Sequence, residues 1–168
     1  GYVWDIADGP ALARRAVDLA RANGTAVALS LSDSFCVERH RDSFEEFVRD
    51  GVDIVVADED EVNALLGTSN FNDTLAALRD YDNLFAMTRS EQGSVVVHGE
   101  QTIVQKATPV DTVVDTTGAG DAYCAGFLYG WVNGRSLEAC ARYGTHCATR
   151  VIQQLGARIE PGLLDGVD

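Results

Sequence analysis

Asp115-Thr116-Thr117-Gly118-Ala119-Gly120-Asp121 runs directly into Ala122-Tyr123-Cys124-Ala125-Gly126-Phe127-Leu128. Small residues at 118–120 let the backbone turn tightly and let a ligand come close to it. The apolar run that follows reads as a helix from about Ala119 to Asn133, and Thr112-Val113-Val114 ahead of the turn reads as a short strand. The N–H groups at the start of such a helix lack intrahelical partners, which makes an anion site. Asp121 falls in the first turn, one residue past the glycines. A carboxylate there can take a proton from an incoming hydroxyl while neighbouring N–H groups hold the oxygens of a transferring phosphoryl group. A structural glycine turn with Asp121 as a capping residue accounts for the same stretch.

Other glycine-rich readings fail on residue identity. A Walker A loop needs a Lys after its last glycine, and here Asp121 follows. A dinucleotide fingerprint begins with Gly118-Ala119-Gly120, but its third glycine position holds Tyr123.

Working outward, the hydrophobic period alternates between helix and strand. Tyr2-Val3-Trp4 is strand-like. Ala11 to Ala22 is a helix with Leu12, Ala16, Leu19 and Ala20 on its apolar face, stopped by Asn23-Gly24. Val27 to Leu31 is a buried strand, Ser43 to Arg49 a helix with Phe44 and Phe47 inward, and Val52 to Val56 the next strand. Asp58 to Leu66 is a helix with an acidic start, as the positive end of a helix dipole favours. Thr74 to Leu78 is a helical turn or two, and Asn83 to Thr88 is a strand. Ser94 to His98 and Thr102 to Gln105 form a hairpin about Gly99-Glu100. A last helix covers Ser136 to Gln154. Strands alternating with helices predict one α/β domain over 1–168, with a mostly parallel sheet and an antiparallel hairpin edge.

The chain has 168 residues, 46% of them apolar, which is enough for a substantial core. Asp and Glu number 26 against 13 Lys and Arg, a net charge of −13 that repels nucleic acid backbones. No run approaches the about 18 apolar residues of a membrane span. Gly1 is not an initiator Met, which predicts further sequence upstream. Cys36, Cys124, Cys140 and Cys147 form no CxxC pair, and they read as reduced core thiols of a cytoplasmic protein. His40, His98 and His146 show no triad or metal spacing and read as surface or packing residues.

The Asp-Thr-Thr-Gly-Ala-Gly-Asp stretch, with Ala125-Gly126 beyond it, closely resembles the C-terminal signature of the PfkB (ribokinase-like) carbohydrate and nucleoside kinases. The resemblance extends over almost the whole chain. It implies a ribokinase-like three-layer α/β/α fold, with the family's N-terminal half and β lid outside this chain. It implies ATP-dependent transfer to a sugar or nucleoside hydroxyl, Asp121 being the base and the Gly118, Ala119 and Gly120 N–H groups the anion hole. Ala57-Asp58-Glu59-Asp60-Glu61 resembles the family's Asn-x-x-Glu element, in which Glu61 would act through water on Mg²⁺ and the phosphates. Asp58 replaces the Asn, and a solvated acidic helix start is the competing reading.

Thr88-Arg89-Ser90-Glu91-Gln92-Gly93 resembles the family's Thr-x-Gly-x-x-Gly stretch, with Ser90 where Gly is common. Thr88, Ser90 and Gly93 would then line the nucleotide site, an ordinary turn into the hairpin being the alternative. Val151 to Arg158 resembles the segment that borders adenine, which adds Gln154, Gly156 and Thr117 to the nucleotide contacts. Asp115, with the Thr117 carbonyl, would complete a K⁺ site. Leu29 to Phe35 looks closer to the adenosine-kinase branch than to ribokinase. The implied partners are ATP, Mg²⁺ and a small sugar or nucleoside, with a homodimer as the assembly considered. A non-catalytic nucleotide-binding fragment is the rival function.

Overall fold

Ile54-Val55-Val56-Ala57 is buried without a break and makes up most of β2 (Ile54–Asp58). A strand with no exposed alternation is covered on both faces, as in a parallel sheet flanked by helices. β1 (Ala28–Ser30) pairs parallel to it with Ala28 opposite Ile54, Leu29 opposite Val55 and Ser30 opposite Val56. β3 (Leu84–Thr88), β4 (Ser94–His98) and β5 (Gln101–Gln105) complete a sheet whose five strands lie in chain order. Its core is mostly parallel and its edge antiparallel, as the sequence predicts. The computed structural model describes residues 1–158 together with 162, 164 and 167. Among these, no helix is long and apolar enough to cross a membrane.

Two compact units are distinguishable, one holding 1–87 and 97–102, the other 88–96 and the residues from 103 onward. In the first, α1 (Gly9–Ala22), α2 (Ser34–Arg39), α3 (Arg41–Gly51), α4 (Glu59–Leu66) and α5 (Phe71–Leu78) accompany the strands. Trp4 is its aromatic keystone, stacked on Phe44 at 4.1 Å and edge-on to Phe47 at 4.9 Å. The Trp4 indole N–H donates to Ser43 Oγ at 3.0 Å, so its polar edge is satisfied on burial. Asn83, also buried, donates to the Val48 and Val52 carbonyls and closes the end of α3.

Several sequence expectations change here. Tyr2 to Asp5 is a 3₁₀ turn rather than a strand, because that tighter coil sends Trp4 inward between two phenylalanines. The α1 face is also different: Leu12 and Leu19 are 56% and 60% exposed, while Val17 is buried. The packing partner selects the face, and Gly51 of α3 leaves space that the Val17 methyl groups occupy. Thr112 to Val114 forms no strand, although the Val114 and Asp115 N–H groups both donate to the Ile152 carbonyl.

In the second unit, α6 (Ala119–Val132) and α7 (Leu137–Val151) pack closely against one another. A Cβ at Gly126 would sit 2.5 Å from the Tyr143 carbonyl oxygen and 2.7 Å from Cys147 Sγ, so only glycine permits this approach. Cys140 and Cys147 are free and buried, as read from the sequence, and burial pushes the Cys147 thiol up to about 11.

Candidate active site

Gly118 caps α6 with φ 79° and ψ 8°, a left-handed conformation that favours glycine. A Cβ there would also lie 2.5 Å from the Ala157 Cβ. The turn closes through Ala119 N–H to Thr116 O at 3.1 Å and Ala122 N–H to Gly118 O at 2.8 Å. Around Gly120 there is open space: beyond its chain neighbours and its own helix backbone, no heavy atom of the described residues lies within 4 Å of a Cβ built on it. Asp121 stands exposed in the first turn of α6. An αL cap followed by an open first turn presents backbone N–H groups to an anion beside a carboxylate.

Asp115 braces this turn. Its Oδ1 accepts the Thr117 N–H and its Oδ2 accepts the Gly156 N–H, each at 2.9 Å. Hydrogen bonds from Thr117 and then from the Gly156 N–H hold the Asp115 carboxyl below the usual carboxylate range. Gln154 donates to the Arg158 carbonyl, so the segment after α7 is tied both to itself and to the signature turn.

A cavity of about 650 Å³ opens beside the turn within the second unit. That volume suits a mononucleotide-sized ligand. Of the sequence-predicted residues, Thr88, Ser90, Gly93, Ala119 and Gly120 line it. Ser90 has φ 50°, the backbone region in which a glycine is most at ease, which explains the residue type expected there. Gly93 N–H donates to the Ser90 carbonyl at 3.0 Å, and the Gly93 carbonyl accepts the Arg89 N–H at 2.8 Å.

The sequence reading missed one wall. Thr145, Ala148, Thr149 and Ile152 follow the i, i+3, i+4, i+7 spacing and line the cavity from α7 and its end. That spacing was available as a signal, but it served equally well for a face packed on α6. Tyr123, whose hydroxyl is buried without a hydrogen-bond partner, lines the cavity as well, and Thr145 Oγ1 and Ser94 Oγ are in the same condition. Burial pushes the Tyr123 phenol up to about 12; Ser94 is near enough to oppose that rise, yet the pair misses hydrogen-bond geometry. Buried hydroxyls of this kind suit an ordered water or the polar edge of a ligand.

Asp58 and Glu61 belong to the first unit. They form a reciprocal capping box at the start of α4: Asp58 Oδ1 accepts the Glu61 N–H at 2.8 Å, and Glu61 Oε2 accepts the Asp58 N–H at 3.0 Å. Glu61 is only 8% exposed, so the solvated acidic start does not describe it. Burial, reinforced by the Asp58 charge, pushes its carboxyl up to about 7. Asp and Asn serve equally well as N-caps, which gives the exchange at 58 a local reason. Oxygen-only groups of this kind suit a hard cation such as Mg²⁺.

The three-layer α/β fold is that of the ribokinase-like kinases. Residues 7–162 match the model of the pfkB family carbohydrate kinases, and the chain belongs to that family. It is similar to the crystal structure of adenosine kinase from Sinorhizobium meliloti, with 46% identity and a TM-score of 0.92 over 96% of this chain and 50% of that one. A probable sugar kinase from Rhizobium etli is 41% identical with a TM-score of 0.84, over 88% of this chain and 45% of that one. Cytidine kinase of Thermococcus kodakarensis is 33% identical, over 82% of this chain and 51% of the relative. The chain thus spans about half the length of these relatives.

Proposed function

We propose that the protein is an ATP-dependent kinase that phosphorylates a hydroxyl of a sugar or nucleoside. The observation that carries this reading is the Gly118 left-handed cap, after which Ala119 and Gly120 line a nucleotide-sized cavity and Asp121 follows one residue on in the first turn of α6. In this reading the adenine and ribose occupy the cavity between the Thr88–Gly93 turn and the Thr145–Ile152 face. The Gly118 and Gly120 N–H groups hold phosphoryl oxygens and stabilise charge that builds up on them, and the Ala119 N–H would join them by exchanging its bond to the Thr116 carbonyl for the ligand. Asp121 accepts the acceptor hydroxyl proton as that oxygen attacks the γ-phosphorus and ADP leaves.

Mg²⁺ would neutralise the phosphate charge, with Glu61 positioning it through water. Asp115 carries two carboxylate oxygens with lone-pair capacity beyond the Thr117 and Gly156 N–H groups, and beside the Thr117 carbonyl it would suit K⁺. Among acceptors, the similarity to adenosine kinase and cytidine kinase favours a nucleoside.

The test is an acceptor screen on the full-length protein, following ADP release with MgATP and nucleosides, ribose or fructose. Acceptor-dependent ADP release with at least one of them supports the proposal. ATP binding without release for any of them would favour a non-catalytic nucleotide-binding module.

A further inference from the structure

Asp5, Cys36 and His40 meet in the first unit, and the kinase reading makes no use of them. Cys36 lies in α2 and His40 is the C-cap of that helix, its N–H donating back to the Cys36 carbonyl at 3.2 Å. Residues four apart on a helix face the same side, so thiol and imidazole project together. Asp5 ends the 3₁₀ turn that Trp4 anchors in the core, and its Oδ1 lies 3.0 Å from His40 Nε2. One ligand atom from each of the three residues falls within 4.8 Å of the others. Cys36 is fully buried, whereas the His40 and Asp5 side chains are 34% and 41% exposed. The thiol is therefore the buried member of the trio, and the carboxylate and imidazole are the members that reach solvent.

We propose that Asp5, Cys36 and His40 are three ligands of a zinc-class divalent metal, with water as the fourth. Thiolate, imidazole and carboxylate are the donors such an ion takes, and the sulfur excludes Mg²⁺ and Ca²⁺ as occupants. Metal–ligand bonds of about 2.0–2.3 Å in a tetrahedron separate neighbouring donors by about 3.3–3.6 Å, so small side-chain shifts close the site.

On binding, the Cys36 S–H bond breaks, its proton goes to solvent and the sulfur pair goes to the metal. His40 Nε2 exchanges its contact with Asp5 Oδ1 for the ion. One thiolate, one carboxylate and a neutral imidazole then balance the two positive charges. Arg39 holds the other carboxylate oxygen, Oδ2, at 2.7 Å and orients it from behind. Coordination releases the thiol proton, so the ion competes with protons for the sulfur and binding strengthens as pH rises. The bound metal would staple the N-terminal 3₁₀ turn to the junction of α2 and α3.

Co²⁺ is the probe, titrated into the purified protein in a non-thiol reductant and then displaced with Zn²⁺. The proposal predicts one equivalent bound, a near-ultraviolet sulfur-to-cobalt absorption band and intense tetrahedral visible bands. Cys36→Ser should abolish the sulfur band. His40→Gln and Asp5→Asn alter half-exposed side chains and keep the test decisive where Cys36→Ser fails to fold; each should weaken Co²⁺ by at least about tenfold. No sulfur band in the unaltered protein overturns the proposal. So does a band that survives Cys36→Ser, or one whose affinity is unchanged in both His40→Gln and Asp5→Asn.

Discussion

The Asp115 carboxylate accepts the Gly156 N–H at 2.9 Å across 41 positions of chain, fastening the segment after α7 to the signature turn. Its other oxygen accepts the Thr117 N–H within that turn. A single side chain thus fixes both the approach to the Gly118 cap and the segment at Gly156.

Removing it leaves two N–H groups without their acceptor, at about 1–3 kcal/mol for each that stays buried. Asp115→Ala should weaken MgATP binding by about tenfold or more, equivalent to about 1.4 kcal/mol, as read by calorimetry. Asp115→Asn keeps one acceptor oxygen and should fall between Asp115→Ala and the unaltered protein. Unchanged affinity in the alanine variant would show that the turn does not depend on this brace.

At the start of α4, Asp58→Asn should change the urea midpoint little, whereas Asp58→Ala should cost about 0.5–2 kcal/mol as a lost N-cap. In the full-length enzyme, Glu61→Gln should raise the Mg²⁺ requirement more than the KM for ATP, because the lost charge positions metal-bound water. Loss of activity in Asp58→Asn with a silent Glu61→Gln would contradict the assignment.

Glu61 also predicts a pH dependence with a definite sign. Its folded carboxyl is pushed up to about 7, above the ordinary 4.5, chiefly by burial. The native state therefore binds its proton more tightly than the unfolded chain. Its stabilising contribution is complete below pH 4.5 and is lost as pH rises through about 7, on the order of 1–3 kcal/mol in all. Denaturation series over this range should show a shallower decline in Glu61→Gln than in the unaltered protein. Identical slopes would contradict the assignment.

Ser90 holds a left-handed backbone at φ 50°, which costs a residue with a Cβ about 1–2 kcal/mol. Ser90→Gly should raise thermal stability modestly, since the relief exceeds the entropy that glycine adds to the unfolded chain. A clear drop in Tm would show that the hydroxyl makes a contact that outweighs the strain.

Much of this fold was legible because its signals are local. The apolar run within Val52–Val56 marked a strand, found at Ile54–Asp58, and Gly118-Ala119-Gly120 before an apolar helix marked the turn that opens α6. The acidic start of the helix at Asp58 was equally direct, while the reciprocal Asp58–Glu61 capping box emerged only in the structure. Sequence reasoning failed where packing chose among local options. Tyr2-Val3-Trp4 has strand-forming residues, yet burying Trp4 against Phe44 and Phe47 favours a 3₁₀ turn. α2 is too short to show a helical period, and its clearest local cue is Asp33, whose carboxylate accepts the Cys36 N–H at 2.7 Å. The wall from Thr145 to Ile152 went unread because a cavity-lining face and a packed face share one spacing.

The central claim is that Asp121 is the base served by the Gly118–Gly120 anion hole, and Asp121→Asn in the full-length enzyme tests it most directly. The substitution keeps shape and removes the proton acceptor, so calorimetry should find MgATP affinity within a few fold. Turnover with the best acceptor should drop by about 10²–10⁴, the usual worth of a general base. Turnover near that of the unaltered enzyme would contradict the claim.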